Sequence, residues 1–158
     1  MFWRLVKTLL FTLVMPGTIG VYLPQWLKRG GVELPLAARI AGFLLFLCGA
    51  VLYFWCAWDF VSKGLGTPAP IDAPRVLVVK GLYRFTRNPM YVGVSAVVLG
   101  QALYYGAAAV LIYGCVILLG FHLFVLFYEE PTLRRLFGPQ YEEYCHTVPR
   151  WVIPRSRA

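Results

Sequence analysis

Met90 to Tyr128 reads MYVGVSAVVLGQALYYGAAAVLIYGCVILLGFHLFVLFY, 39 residues without a single Asp, Glu, Lys or Arg. Crossing a ~30 Å hydrocarbon core takes about 20 helical residues at ~1.5 Å each. The run is therefore too long for one crossing. Gly106 divides it into 16 and 22 residues with no polar loop between. A tight helical hairpin is expected here, rather than one bent helix.

Two more uncharged runs lie upstream, Thr8 to Trp26 and Ile40 to Trp58, each of 19 residues. Hydrophobic residues make up 59% of the 158-residue chain and charged ones 14%, where soluble domains carry roughly 25% charged. The expected fold is an all-α membrane protein of about four transmembrane helices, with a cytoplasmic loop and C-terminal surface helices forming a pocket. One membrane domain over 1–158 is expected, with two spans in 1–60 and the pocket-bearing half in 61–158. Arg4 and Lys7 precede the first run as in a signal peptide. Pro16-Gly17 and Val21-Tyr22-Leu23 lack the small-residue cleavage pattern, so this run reads as a retained span.

Cytoplasmic flanks are rich in Lys and Arg. With the N-terminus inside, twelve basic residues fall on the cytoplasmic side and three (Lys28, Arg29, Arg39) on the other. A multi-pass protein with both termini cytoplasmic is expected. The net charge of +8 then serves orientation and contact with anionic membrane lipids, and gives no nucleic-acid footprint. Cys48, Cys56, Cys115 and Cys145 form no CxxC pair, and with His122 and His146 they complete no metal pattern. They read as small buried hydrophobes.

Gly64 to Arg75 is a Pro/Gly-rich loop, followed by a brief β-branched run from Val76 to Lys80. Asn88-Pro89 reads as a helix start, with Asn as N-cap and Pro at the first helical position. The fourth span is expected to leave the membrane at Tyr128-Glu129-Glu130-Pro131. Short surface helices over 132–137 and 139–146 should follow, with Trp151, Val152 and Ile153 returning to the interface.

A tight hairpin brings its two cytoplasmic ends together, and those ends carry the chemistry. Tyr83 and Tyr91 offer π-faces to a base or cation. Arg84 or Arg87 can hold a carboxylate. Glu129 and Glu130 can accept from an ammonium or a ribose diol and stabilise a sulfonium. The helix start at Asn88 adds donors and positive potential. Plainer roles exist for each: interfacial belt for the tyrosines, orientation for the arginines, capping for Asn88. The acids are hardest to reduce to structure, because carboxylates at the edge of a span are costly.

These residues also resemble a known pattern. Gly81-x-Tyr83-x-x-x-Arg87-Asn88-Pro89-Met90-Tyr91-x-Gly93, then Glu129-Glu130-x-x-Leu133, then Phe137-Gly138-x-x-Tyr141-x-x-Tyr144 and Val148-Pro149 look like the isoprenylcysteine carboxyl methyltransferase family. Asn-Pro-Met-Tyr and Tyr-Glu-Glu-Pro are also similar to phospholipid methyltransferases. The resemblance covers about Gly66 to Pro154. It implies a membrane enzyme whose cytoplasmic pocket holds S-adenosylmethionine while a lipid-like small-molecule substrate arrives from the bilayer. Carried over by position, Arg75, Val76, Leu77 and Val78 would line the cofactor, Tyr83 would pack on it, and Arg87, Asn88, Pro89, Met90 and Tyr91 would continue the pocket. Glu129 would lie at the reacting end, with Glu129 or Glu130 as the base for an amine acceptor.

The family commonly has His at the position of Asn88, and its eukaryotic members have Arg at that of Val125. Either a prenylcysteine-type carboxylate or a phospholipid amine is left open as acceptor, and so is the oligomeric state. Two other readings stand beside it: an NADPH-dependent membrane sterol-type reductase, which the Tyr-x-x-Tyr-Cys and Val-Pro tail resembles, and a non-enzymatic membrane adaptor.

Overall fold

The computed structural model describes residues 2–62 and 77–151. Within them the fold is a bundle of helices with no strand. Helix α1 (Phe2–Gly17) runs through a π-turn (Thr18–Tyr22) into α2 (Leu23–Leu27), making one rod. Next come α3 (Leu36–Ser62), α4 (Pro89–Tyr105) and α5 (Ala108–Phe124). A second π-turn (Val125–Glu129) carries α5 into α6 (Glu130–Phe137), and α7 (Pro139–Thr147) follows.

Three stretches are long and apolar enough to cross a membrane: Leu9–Leu27, Leu36–Asp59 and Ala108–Phe137. The all-α membrane protein expected from the sequence is thus observed. The expected third span, α4, has 17 residues, only about 25 Å of helix, and lies between α3 and α5 as the middle of the bundle. Large Leu, Val, Ile and Phe side chains face outward along α1, α3 and α5, while the buried set is rich in Val, Ala and Cys. That inversion is what a lipid solvent demands.

Small residues let α3 and α4 touch backbone to backbone. Gly42 and Gly49 of α3 meet Gly100 and Gly93 of α4, and a Cβ on any of the four would come within 2.9 Å of partner atoms. The 4–5 hairpin turns at Gly106, whose left-handed φ of 59° closes α4. The Ala107 amide donates to the Ala102 carbonyl at 3.1 Å, so the hairpin expected around Gly106 is observed.

Proline shapes both π-turns. Pro24 and Pro131 each sit two residues beyond one. A proline ring clashes with the carbonyl four residues back and offers it no N–H; opening the register by one residue relieves the crowding. The helix therefore continues past Tyr128–Pro131 to Phe137, where a separate short helix over 132–137 was expected. Cys48 and Cys115 also depart from expectation. Both are exposed on the lipid side, and only Cys56 and Cys145 are buried.

At one end of the bundle lie Lys28, Val32 and Gly106, joined by a Val32 N–H to Gly106 carbonyl bond of 3.1 Å. The other end gathers the start of α4, the end of α5 and the segment after α7. There the Arg87 amide donates to the Pro149 carbonyl at 3.0 Å. The Thr86 hydroxyl and the Asn88 side-chain amide both donate to the Arg150 carbonyl at 3.0 Å. Asn88 occupies the N-cap position, yet its side chain caps nothing; it pins the C-terminal segment instead. Trp151 is half-buried and donates from Nε1 to His122 Nδ1 at 3.1 Å. Val152, Ile153 and the Pro/Gly loop lie outside the described residues.

Candidate active site

A cavity of about 390 Å³ opens at this second end, within the size range of small-molecule sites (about 300–1,000 Å³). Six of the residues expected from the sequence line it: Tyr83, Arg87, Asn88, Met90, Tyr91 and Glu129. The tyrosine-bearing segment and the acidic helix end therefore converge. The Tyr91 hydroxyl donates to Glu129 Oε2 at 2.8 Å, and its ring packs on Phe121 with centroids 4.8 Å apart. Crowding by the surrounding chain pushes the Tyr83 phenol well above its ordinary range, chiefly through burial and then through nearby Cys56 and Glu129.

The two adjacent acids part company. Successive helical residues point about 100° apart, so Glu129 faces the cavity while Glu130 faces the C-terminal segment. Arg150 grips Glu130 with two bonds, Nε to Oε1 at 2.6 Å and Nη2 to Oε2 at 2.9 Å. Arg87 adds an ion pair at 3.0 Å, and Arg134 stands 4.0 Å away. Glu130 and Arg87 side chains are 3% and 6% exposed. Hydrogen bonding to Glu130 pushes the Arg150 guanidinium further above its ordinary range. Arg87 also donates from Nη1 to Cys145 Sγ at 2.7 Å. Arg87 lines the cavity, and its Nε is, among the described residues, the buried side-chain nitrogen without a hydrogen-bond partner.

Glu130, Pro89, Leu77 and Val78 do not line the cavity. Pro89 is buried at the helix start, and Leu77 packs against the cluster of Tyr141, Tyr144, Cys145 and Val148. Arg75 and Val76 lie outside the described residues. Sequence reasoning missed the opposite wall: Phe11, Met15, Pro16 and Ile19 from the first helix, Tyr53 from α3, and Ile117, Phe121 and Phe124 from α5. A faint signal for part of it existed, since Phe11, Met15 and Ile19 recur every four residues and so share one helix face. Within an apolar run that spacing also suits simple lipid contact.

The profile of the phospholipid methyltransferase family matches residues 37–140, and the chain belongs to that family. Comparison with curated proteins and with solved structures finds no match. The family match takes in α3 as well as the hairpin, in keeping with the glycine contact that joins α3 to α4. Family membership makes the protein a methyltransferase acting on lipid-like substrates, and lends nothing to the reductase or adaptor readings.

Proposed function

We propose that this protein transfers the methyl group of S-adenosylmethionine to the amine headgroup of a membrane lipid at the cytoplasmic face. The observation that carries the reading is the one carboxylate among the described residues that line the cavity: Glu129, held by Tyr91 at 2.8 Å, with Arg87, Asn88 and a largely apolar and aromatic remainder around it. Glu130 is already compensated by arginines, and Arg87 by Glu130, so the cavity is left with uncompensated negative character. A carboxylate acceptor would be repelled there, and an ammonium attracted.

The lining suits the cofactor. Arg87 brings a guanidinium to the lining that suits a carboxylate, Glu129 is an acceptor for an ammonium or diol, and Tyr53, Tyr83, Tyr91 and Phe121 offer aromatic faces. When bound, S-adenosylmethionine supplies an electrophilic methyl on a positive sulfonium. Glu129 would act in sequence: its charge favours binding of the ammonium, and its carboxylate then takes the proton that the ammonium must lose, so that the freed nitrogen can form its bond to the methyl carbon as the carbon–sulfur bond breaks and leaves a neutral thioether. Tyr91 fixes the direction of that carboxylate. Residues of α1 and α5 exclude water and orient the acceptor, an effect that can contribute several kcal/mol, on the order of 7 in favourable cases. The cluster of Lys and Arg at this end supports a cytoplasmic placement.

The test incubates purified protein in nanodiscs with methyl-labelled S-adenosylmethionine and phosphatidylethanolamine. Label should appear on the headgroup nitrogen. Absence of label, with no saturable binding of the cofactor, overturns the proposal.

A further inference from the structure

The first π-turn lies directly above the cavity, and its carbonyls need donors. Pro24 has no N–H, so it cannot serve Gly20 in the α-register or Ile19 in the π-register. In a membrane such orphaned carbonyls must find other partners. Two side chains from the hairpin provide them. The Tyr113 hydroxyl of α5 donates to the Ile19 carbonyl at 2.9 Å. The Gln101 amide of α4 donates to the Gly20 carbonyl and, at 3.2 Å, to the Val97 carbonyl of its own helix. Gln101 is 4% exposed, and its Oε1 accepts from Gln25 Nε2 at 3.1 Å. Gly20 seats against Val94 and Val97, where a Cβ would just reach contact at 3.7 Å.

The clamp matters to the site because of what hangs below it. Pro16 and Ile19 line the cavity immediately beside the π-turn, and Met15 and Phe11 follow down the same helix. Helix α1 itself packs on α3, while the rod meets the hairpin through the π-turn and α2. On the facing helix Gly120 borders the cavity, and a Cβ there would meet nothing within 4 Å. The width of the apolar half thus depends on how the first helix is hung from the hairpin, together with the 2.9 Å hydrogen bond between the Thr12 and Tyr53 hydroxyls that ties that helix to α3.

We infer that Gln101 and Tyr113 are positioning residues that register the first helix as the apolar wall of the site, and so tune its affinity for the hydrocarbon part of the acceptor. The inference rests on the methyl-transfer reading for its substrate. It is independent of that reading for its geometry.

Tyr113→Phe and Gln101→Leu are compared with the parent protein in nanodiscs, using lysophosphatidylethanolamines of 8, 12 and 16 carbons. Loss of wall contacts made equally in ground and transition states raises KM without lowering kcat. KM for the 16-carbon acceptor should rise about tenfold, with the 8-carbon KM, kcat and the cofactor KM close to the parent values. A general loss of fold would move all four. Should Gln101→Leu fail to fold, Tyr113→Phe, which removes one hydroxyl, carries the test.

In parallel, spin labels at Leu9→Cys and Leu119→Cys, both outward-facing, report the spacing of the first and fifth helices, with Cys48 and Cys115 replaced by Ser. The distribution should be narrow in the parent and broadened in both variants. An unchanged long-chain KM, or superimposed distributions, overturns the clamp. A parent protein that transfers no methyl refutes the methyl-transfer reading, while the label distances still decide the clamp.

Discussion

Glu129 and Glu130 differ by one position in the chain and by everything in their surroundings. Glu129 meets one phenol at the edge of an aromatic cavity, whereas Glu130 is 3% exposed and held by Arg87 and Arg150. Under the proposed function, Glu129→Gln should lower turnover on the order of a hundredfold, the low end of what a positioned base contributes, with the melting temperature within a degree or two of the parent (about 0.5 kcal/mol). Labelled-methyl transfer and thermal unfolding on the same preparation check both. Glu130→Gln should do the reverse in stability, because it strands two guanidiniums, one of them buried. A loss of about 3 kcal/mol is expected, read as a lowered denaturation midpoint. Equal behaviour of the two variants would mean that the neighbouring acids share one role. The sequence announced the pair but could not divide the labour, since direction around a helix depends on the register that the π-turn sets.

Among the elements, α3 and α4 depend on absent side chains. Gly49→Ala would bring a Cβ to 2.6 Å from the Gly93 carbonyl, and Gly100→Ala one to 2.6 Å from the Phe46 amide nitrogen. Backbone cannot step aside as a side chain can, so each should cost about 1–3 kcal/mol in thermal unfolding in detergent. Gly120→Ala, with nothing within 4 Å, is the control and should unfold like the parent. The hairpin was legible from Gly106 because charge absence and length constrain a membrane run. The glycine seam was not, for a glycine in an apolar helix reads the same whether it faces lipid or a neighbour. The continuity of the helix through Pro131 was not legible either: proline disrupts an α-register, but a π-turn before it lets the helix pass.

For the whole molecule, the polar end is stabilised by phenols that stay neutral. Burial, foremost, pushes Tyr83, Tyr141 and Tyr144 above the ordinary value of 10.0. A group whose folded pKa is raised binds more protons folded than unfolded in the interval between the two values, so stability falls as pH climbs through it. Stability should therefore be flat near neutrality and decline above about pH 10, with Tyr83→Phe giving a shallower decline in unfolding followed against pH. An identical alkaline limb in that variant would show that Tyr83 does not carry the effect. The sequence by itself determined that the chain lives in a membrane, where it turns, and which polar residues gather at one end, because a hydrocarbon solvent forbids charge and sets helix length. Only the tertiary structure decided that one glutamate looks into the cavity and the other away, and that the first helix forms the far wall. Those outcomes hang on helix register and on contacts more than seventy residues apart, such as Tyr113 with Ile19, which local pattern does not encode.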